Sequence, residues 1–255
     1  MKTALSQTFL GPAIAHRGLH KTDENCCENS LTAILGAIKA GYGIEVDLQL
    51  SSDGHAMVFH DYTLDRMTSH NGPINQLPAK ELEQIFLNDS KDTIMQLSTL
   101  LKHVSGRAPL LIELKDQSVC LGPTTGILEK AVAQALEGYE GPVAIMSFNP
   151  TSVKAMANLA PQIARGLTTD AFKANEWPEV RGQRLQQLRK LENYEVIQAS
   201  FISHDYRDLA SHRLAAIKAS GDPILCWTVK THEDEKTARV IADNITFETY
   251  LPDLP

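Results

Sequence analysis

The sequence contains little cysteine, and no spacing that would make its cysteines a structural framework. Its 255 residues include Cys26, Cys27, Cys120 and Cys226, and none of these is spaced as in a zinc ribbon or a redox-active pair. Four thiols are too few to staple a chain of this length. We therefore expect all four cysteines to be reduced.

Excess positive charge and long apolar runs are also missing. Lys and Arg total 24 against 31 Asp and Glu, which gives a formal net charge of −7. Such a protein lacks the positive face that attracts nucleic acid or an anionic membrane. No run approaches the roughly 18 apolar residues that span a bilayer, and the N-terminus lacks the apolar segment of a secretory signal. We expect a cytoplasmic protein without a membrane span or a nucleic-acid partner; the oligomeric state stays open.

The composition that is present is that of an ordinary globular protein. Hydrophobic residues make up 43% and charged residues 22%, so a sizeable core can be buried. Short apolar runs alternate with amphipathic stretches, which predicts a parallel sheet with helices packed outside it. A single (β/α)8 barrel has about this length, although two small domains would also fit. No linker is visible, so we predict an α/β fold of the TIM-barrel type, as one domain over residues 1–255.

Nine runs have the pattern of strands, one more than an eight-stranded barrel needs. The predicted strands cover residues 12–16, 44–50, 56–60, 110–115, 143–148, 164–168, 196–201, 224–229 and 245–247. The predicted helices cover residues 29–40, 78–86, 97–104, 124–136, 152–159, 183–192, 209–219 and 233–242. The alternation breaks between 44 and 60, where two strands follow each other across a Ser-Ser-Asp-Gly turn. The sequence leaves open which strand is surplus.

Four predicted strands carry unusual polar residues at their C-terminal ends, where the working groups of a parallel barrel lie. These residues are His16 and Arg17 in the first strand end, Glu45 and Asp47 in the second, His60 in the third, and Glu113 and Lys115 in the fourth. Glu45 and Asp47 are two residues apart, as are Glu113 and Lys115, so the members of each of these pairs share one face of a strand. If the four strands are neighbours, these side chains converge on one mouth.

The residue types at these ends suit phosphoryl transfer. A ligand set of three carboxylates, without Cys or His ligands, favours a hard cation, Mg²⁺ or Ca²⁺. Arg17 and Lys115 suit a phosphate, and two histidines can divide acid and base work near neutral pH. Taken singly, each feature also has a structural interpretation, as a hydrogen-bonded histidine, a solvated hairpin face or an ion pair. Their coincidence at four strand ends favours a catalytic site.

The same residues resemble the glycerophosphodiester phosphodiesterase family, in its short, cytosolic-type bacterial form. The resemblance rests on Ala-His-Arg-Gly (15–18), Glu-Asn-Ser (28–30), Gly-Ile-Glu-Val-Asp-Leu-Gln-Leu-Ser-Ser-Asp-Gly (43–54), Val-Phe-His-Asp (58–61), Leu-Asp-Arg-Met-Thr (64–68), Ile-Glu-Leu-Lys (112–115), Ser-Phe (147–148) and Trp-Thr-Val (227–229). It extends over roughly residues 14–229, and the stretch from 160 to 220 shows little of the pattern.

The resemblance implies a (β/α)8 barrel that hydrolyses a small-molecule glycerophosphodiester to glycerol 3-phosphate and an alcohol, with bound Mg²⁺ or Ca²⁺. It implies these roles: His16 and His60 as the catalytic acid–base pair, Arg17 and Lys115 as phosphate contacts, Phe148 and Trp227 as aromatic contacts to the glycerol carbons, and Glu45, Asp47 and Glu113 as metal ligands. Ordinary core packing is the alternative for the two aromatic residues.

The sequence departs from the family at two places that border the expected mouth. Cys26 and Cys27 stand where a proline commonly precedes the Glu-Asn pair, and residues 245–252 replace a Thr-Asp-Tyr-Pro-like segment, with Glu248 near its acidic position. Two other functions stay open: lysophospholipase D or phospholipase D activity on lipid phosphodiesters, which needs an apolar rim, and a barrel that binds phosphorylated ligands without catalysis. The other seven histidines match no motif and are expected to be structural or exposed.

Overall fold

A computed structural model describes residues 2–20, 26–88, 90–180 and 182–255. Its strands are β1 (Ile14–Ala15), β2 (Gly43–Leu50), β3 (Ala56–Val58), β4 (Met95–Gln96), β5 (Leu110–Leu114), β6 (Val143–Ser147), β7 (Ala164–Thr169), β8 (Phe201–Asp205), β9 (Ile224–Val229) and β10 (Asn244–Phe247). Its α-helices are α1 (Leu31–Ala40), α2 (Ala79–Leu82), α3 (Leu97–Val104), α4 (Ile127–Ala135), α5 (Pro150–Leu159), α6 (Gln183–Arg189), α7 (His212–Ala219) and α8 (His232–Ala238).

Eight parallel strands close into a barrel, which confirms the predicted fold class. The order around the barrel is β1-β10-β9-β8-β7-β6-β5-β2, and pairing between β1 and β2 closes it. The surplus strand is β3, which folds back antiparallel on the end of β2 and in turn pairs with β4. The tight turn at 51–54 therefore marks a hairpin that leaves the barrel, since a parallel partner would need a longer crossover.

The strand predicted at 196–201 is wrong in its position. Residues 191–198 form turns, with Gln198 at a φ of 59°, and β8 begins only at Phe201. The apolar residues before Phe201 have the pattern of a strand. Ile197 is buried, as a strand residue would be, but it lies in a turn. The real strand was hidden by Ser203, which is a buried polar residue in its middle. The predicted helix at 78–86 is also shorter than expected, since only α2 is helical there.

The ends of α1 follow local capping rules. Ser30 is the N-cap, and its hydroxyl accepts a hydrogen bond from the Ala33 amide at 3.1 Å. Gly41 ends the helix in the left-handed conformation, with a φ of 84°, which glycine adopts without a steric penalty. Ser30 therefore fixes where α1 begins, directly after the segment that approaches the C-terminal mouth of the barrel, and Gly41 fixes where it ends.

Apolar side chains fill the barrel interior at its N-terminal end. Ile14, Leu111 and Phe201 belong to this cluster, and the N-terminal segment adds Leu5 and Phe9. A larger apolar layer lies between the strands and the surrounding helices. Asn244 is a polar exception at the start of β10, where it is buried and donates to the Phe9 and Pro12 carbonyls. The charged residues predicted from the sequence lie instead at the C-terminal ends of the strands, where barrels of this type carry their working groups.

The four cysteines are free thiols, as the sequence predicts. Within the described ranges, no helix combines the length and the apolar composition that crossing a bilayer requires.

Candidate active site

A cavity of about 410 Å³ opens at the C-terminal ends of the barrel strands. Its lining residues are His16, Arg17, Glu28, Glu45, His60, Arg66, Glu113, Lys115, Met146, Phe148, Trp227, Thr228, Lys230, Thr246 and Glu248. Every site residue that the sequence predicts is in this lining except Asp47, which lies buried. The structure thus brings the predicted residues together in one place.

Three carboxylates meet at the base of the cavity. Glu45 and Asp47 alternate along β2, and Asp47 pairs in register with Glu113 of the neighbouring strand β5. One oxygen of each of the three side chains lies within 4.8 Å of the others. The parallel register therefore turns two separate sequence motifs into one acidic cluster.

Two cations lie against this acidic cluster. The Lys115 ammonium is 2.8 Å from Asp47 and 2.6 Å from Glu113, and the Arg17 Nε is 3.1 Å from Asp47. Burial alone would raise the pKa of Asp47, but Lys115 and the other neighbouring positive charges hold it well below its usual range. Burial alone would lower the pKa of Lys115, and the two carboxylates raise it instead. Both groups are therefore charged at neutral pH.

Glu45 differs from its two partners. Burial raises the pKa of Glu45 well above its usual value, and the charges of Asp47 and Glu113 add to the shift. Its Oε1 atom is buried and has no hydrogen-bond partner among the described residues. A buried carboxylate oxygen without a partner is costly. An all-oxygen ligand set with such an atom fits a hard divalent cation, so the cluster can hold a metal ion.

Arg17 is fixed by its backbone as well as by its side chain. It adopts a φ of 58°, followed by Gly18 at 79°, and this turn lets the Arg17 amide donate to Glu45 at 3.0 Å. Asn29 donates from its backbone amide to the Arg17 carbonyl and from its side chain to Asp47, at 2.8 and 2.9 Å. The His-Arg-Gly and Glu-Asn motifs are thus locked together around the acidic cluster.

The two predicted catalytic histidines lie in the lining of the cavity, and each has a carboxylate near its Nδ1 atom. His60 Nδ1 is 2.6 Å from Asp61, and His16 Nδ1 is 3.9 Å from Glu248. His16 Nε2 lies 4.0 Å from Glu45. Burial is the main cause that lowers the pKa of His16, which favours its neutral form.

The aromatic residues predicted near the glycerol group form one wall of the cavity. The rings of Phe148 and Trp227 meet edge to face with centroids 5.5 Å apart, and the Trp227 indole donates to the Ser203 carbonyl at 3.0 Å. Phe148 also packs on Trp177 at 5.0 Å. These two side chains therefore have a cavity face and a packed face, so core packing and substrate contact are compatible.

Several charged residues of the site were not assigned roles from the sequence. Glu28, Asp61 and Arg66 lie inside the motifs quoted above. Their position as charged residues within these motifs was the sequence feature that could have indicated a role in the site. Glu248 lies 3.9 Å from His16 and 3.3 Å from Lys230. His20, placed among the structural or exposed histidines, is buried with its Nε2 3.4 Å from Glu248. No local pattern predicted that these residues meet.

Comparisons with known proteins agree with this geometry. A profile of the glycerophosphoryl diester phosphodiesterase family matches residues 16–245. The chain is 28% identical over 245 residues to the glycerophosphodiester phosphodiesterase of Caldanaerobacter subterraneus subsp. tengcongensis, with 91% of each protein covered. It is 32% identical over 166 residues to the enzyme of that name from Bacillus altitudinis, which covers 61% of this chain and 65% of that protein.

Solved structures share the fold. A phosphodiesterase of Oleispira antarctica, solved in complex with the product sn-glycerol-3-phosphate, superposes with a TM-score of 0.77 at 24% identity, covering 96% of this chain and 95% of that one. A glycerophosphodiester phosphodiesterase of Thermotoga maritima gives 0.70 at 20% identity, covering 92% and 94%. With a family match over most of its length, this chain belongs to the glycerophosphoryl diester phosphodiesterase family, whose members are phosphoric diester hydrolases.

Proposed function

We propose that this protein hydrolyses glycerophosphodiesters to glycerol 3-phosphate and an alcohol, with a divalent cation held by Glu45, Asp47 and Glu113. The observation that carries the proposal is the single cavity that unites an all-oxygen acidic cluster, two histidines and an arginine at the mouth of the barrel. The family match supports the reaction class. Mg²⁺ and Ca²⁺ are the cations that this ligand set suits.

A bound cation would polarise the phosphodiester and help to neutralise the negative charge that develops on its oxygens. The side chains supply the rest of the electrostatic environment. Arg17 donates from its Nη1 atom to Glu28. Its Nη2 atom makes no hydrogen bond among the described residues, so Nη2 can donate to a phosphate oxygen. Lys115 adds a buried positive charge beside the same position.

His16 and His60 perform the proton transfers in this proposal. One imidazole removes a proton from the attacking oxygen, and the other protonates the leaving alkoxide. The attacking oxygen is either water or the neighbouring glycerol hydroxyl of the substrate, and the second route passes through a cyclic phosphate that water then opens. A substrate without that hydroxyl separates the two routes, because unchanged turnover excludes the cyclic phosphate.

The composition of the cavity favours a small, polar substrate over a lipid. Arginine, lysine, histidine and glutamate side chains make up most of its lining. The large apolar side chains that are most exposed elsewhere, such as Phe86 and Val240, are not part of it. A phospholipase D activity would need an apolar rim for acyl chains, and a purely binding barrel would not need two histidines beside the phosphate position.

The deciding experiment measures release of glycerol 3-phosphate from glycerophosphocholine, with and without excess chelator. We expect release that stops in chelator and recovers when Mg²⁺ or Ca²⁺ is restored. Release at full rate in chelator would contradict the metal site. Binding of the substrate without any release would favour the non-catalytic alternative. Release of the head-group alcohol from lysophospholipids, with lysophosphatidic acid as the other product and no cleavage of glycerophosphocholine, would favour the lipid one.

A further inference from the structure

We propose that Arg66 is a positioning residue of the candidate active site, which holds Asp61 against His60 on one side and Glu28 against Arg17 on the other. The proposal rests on the proposed function, because it concerns how two of its groups are oriented. Arg66 lies in the loop that follows β3, and its side chain lines the cavity.

The Arg66 guanidinium binds two carboxylates at once. Its Nε and Nη2 donate to the two oxygens of Asp61, at 2.6 and 2.9 Å. Its Nη2 and Nη1 donate to the two oxygens of Glu28, at 2.6 and 3.1 Å. Both contacts are forked, a geometry that the planar guanidinium allows and an ammonium does not.

The contact between Arg66 and Asp61 determines which ring nitrogen of His60 carries the proton. Burial would raise the pKa of Asp61, but its hydrogen bonds to His60 and Arg66 hold it well below its usual value, so the carboxylate is ionised. An ionised carboxylate can only accept hydrogen bonds. The 2.6 Å contact therefore requires His60 Nδ1 to be the donor, and it leaves Nε2 as the reactive nitrogen.

The second contact determines the direction of Arg17. Burial would raise the pKa of Glu28, but the bonds to Arg66 and Arg17 lower it to about 2. Glu28 accepts from Arg17 Nη1 at 2.7 Å, while Asp47 lies 3.1 Å from Arg17 Nε on the other side. The Arg17 plane is thus held between two carboxylates, one of which is placed by Arg66.

Arg66 itself is tied to the scaffold through its backbone. Its carbonyl accepts a hydrogen bond from the Asn88 side chain at 3.1 Å, and the nearby Leu64 is fully buried. The Arg66 side chain is 48% exposed, so replacing it removes little buried surface. A large loss of activity on replacing it would therefore come from the orientation of its partners and not from the core.

The test uses Arg66→Gln, Asp61→Ala and the double variant, with glycerophosphocholine as substrate. We expect each single change to lower kcat by roughly 10²-fold, the scale of an Å-sized misplacement, with a smaller change in KM. We expect the double variant to lose much less than the product of the two single losses, because the two side chains act on the same histidine. Arg66→Lys should recover only part of the loss, since it cannot fork onto both carboxylates.

Arg213→Gln is the matched control, because Arg213 also pairs with a carboxylate, Glu195 at 2.6 Å, and neither residue lines the cavity. It should keep wild-type kinetics. Melting temperatures of all variants show whether a loss reflects unfolding. Wild-type kinetics in Arg66→Gln, or single losses that multiply in full, would overturn the proposal.

A second measurement separates this proposal from the proposed function. Nitrogen-15 spectra of the imidazoles should show a proton on His60 Nδ1 in the wild type and a mixture of tautomers in Asp61→Ala and Arg66→Gln. This signature needs no turnover. An inactive wild-type protein with the Nδ1 proton would defeat the proposed function alone, whereas an active protein whose His60 tautomer does not respond to either change would defeat the role of Arg66.

Discussion

Replacing Gly18 by alanine should weaken both the fold and the site. Gly18 has a φ of 79°, and an added β-carbon would lie 2.8 Å from the Ala33 carbonyl carbon and 2.9 Å from its Cβ, in the first turn of α1. The left-handed backbone costs an alanine about 1–2 kcal/mol, and the forced shift of packed atoms costs about 1–3 kcal/mol. We therefore expect Gly18→Ala to lower the free energy of unfolding by about 2–5 kcal/mol.

Gly138→Ala separates the two contributions. Gly138 has a similar φ of 75°, but nothing lies within 4 Å of its added β-carbon, so only the backbone cost of about 1–2 kcal/mol applies. Urea unfolding with a common m-value measures the difference. Gly18→Ala should also lower kcat/KM, because it displaces the neighbouring Arg17, while Gly138→Ala should not. Equal losses of stability in the two variants would refute the close approach of α1.

Three further outcomes test individual side chains. Arg17→Lys should cost about 2–3 kcal/mol in kcat/KM, since an ammonium cannot contact Glu28, Asp47 and a phosphate in the orientation that the planar guanidinium allows; near-normal kinetics would mean that only its charge counts. His16→Ala and His60→Ala should each lower kcat by about 10²–10⁴, and a phosphodiester with an activated leaving group should rescue only the variant that lacks the general acid. Glu45→Gln should weaken Mg²⁺ or Ca²⁺ binding in calorimetric titration, whereas Gln49→Ala should leave the affinity unchanged and lower kcat, because Gln49 donates to the His60 carbonyl at 3.0 Å.

The features that the sequence predicted well are those set by local periodicity and by position along a strand. Alternation along β2 places Glu45 and Asp47 on one face, and this holds whatever the partner strand is. The C-terminal ends of parallel strands share one edge of a barrel, so the fold class placed the polar ends of β2 and β5 at the same mouth. Both predictions needed only short stretches of the chain.

The features that escaped prediction depend on pairing over long distances. The run at 56–60 has the same composition whether it joins a barrel or a hairpin, and only its antiparallel register with β2 decides between them. The hydrogen bonds from Arg66 to Asp61 and Glu28 depend on side-chain orientations that no periodicity of the sequence encodes. Glu248 approaches His16 because β10 closes the barrel against β1, a pairing that spans almost the whole chain.

The barrel interior changes from apolar to charged within two residues along β5. In β5, Leu111 packs in the lower apolar cluster while Glu113 belongs to the acidic cluster. Burying three carboxylates together is unfavourable unless cations pair with them, and Lys115 and Arg17 supply two positive charges. One carboxylate is left without a matching charge, and it is Glu45 whose pKa is raised. A divalent cation bound to the cluster would supply the positive charge that Glu45 lacks, and it would favour the ionised form of this carboxyl group.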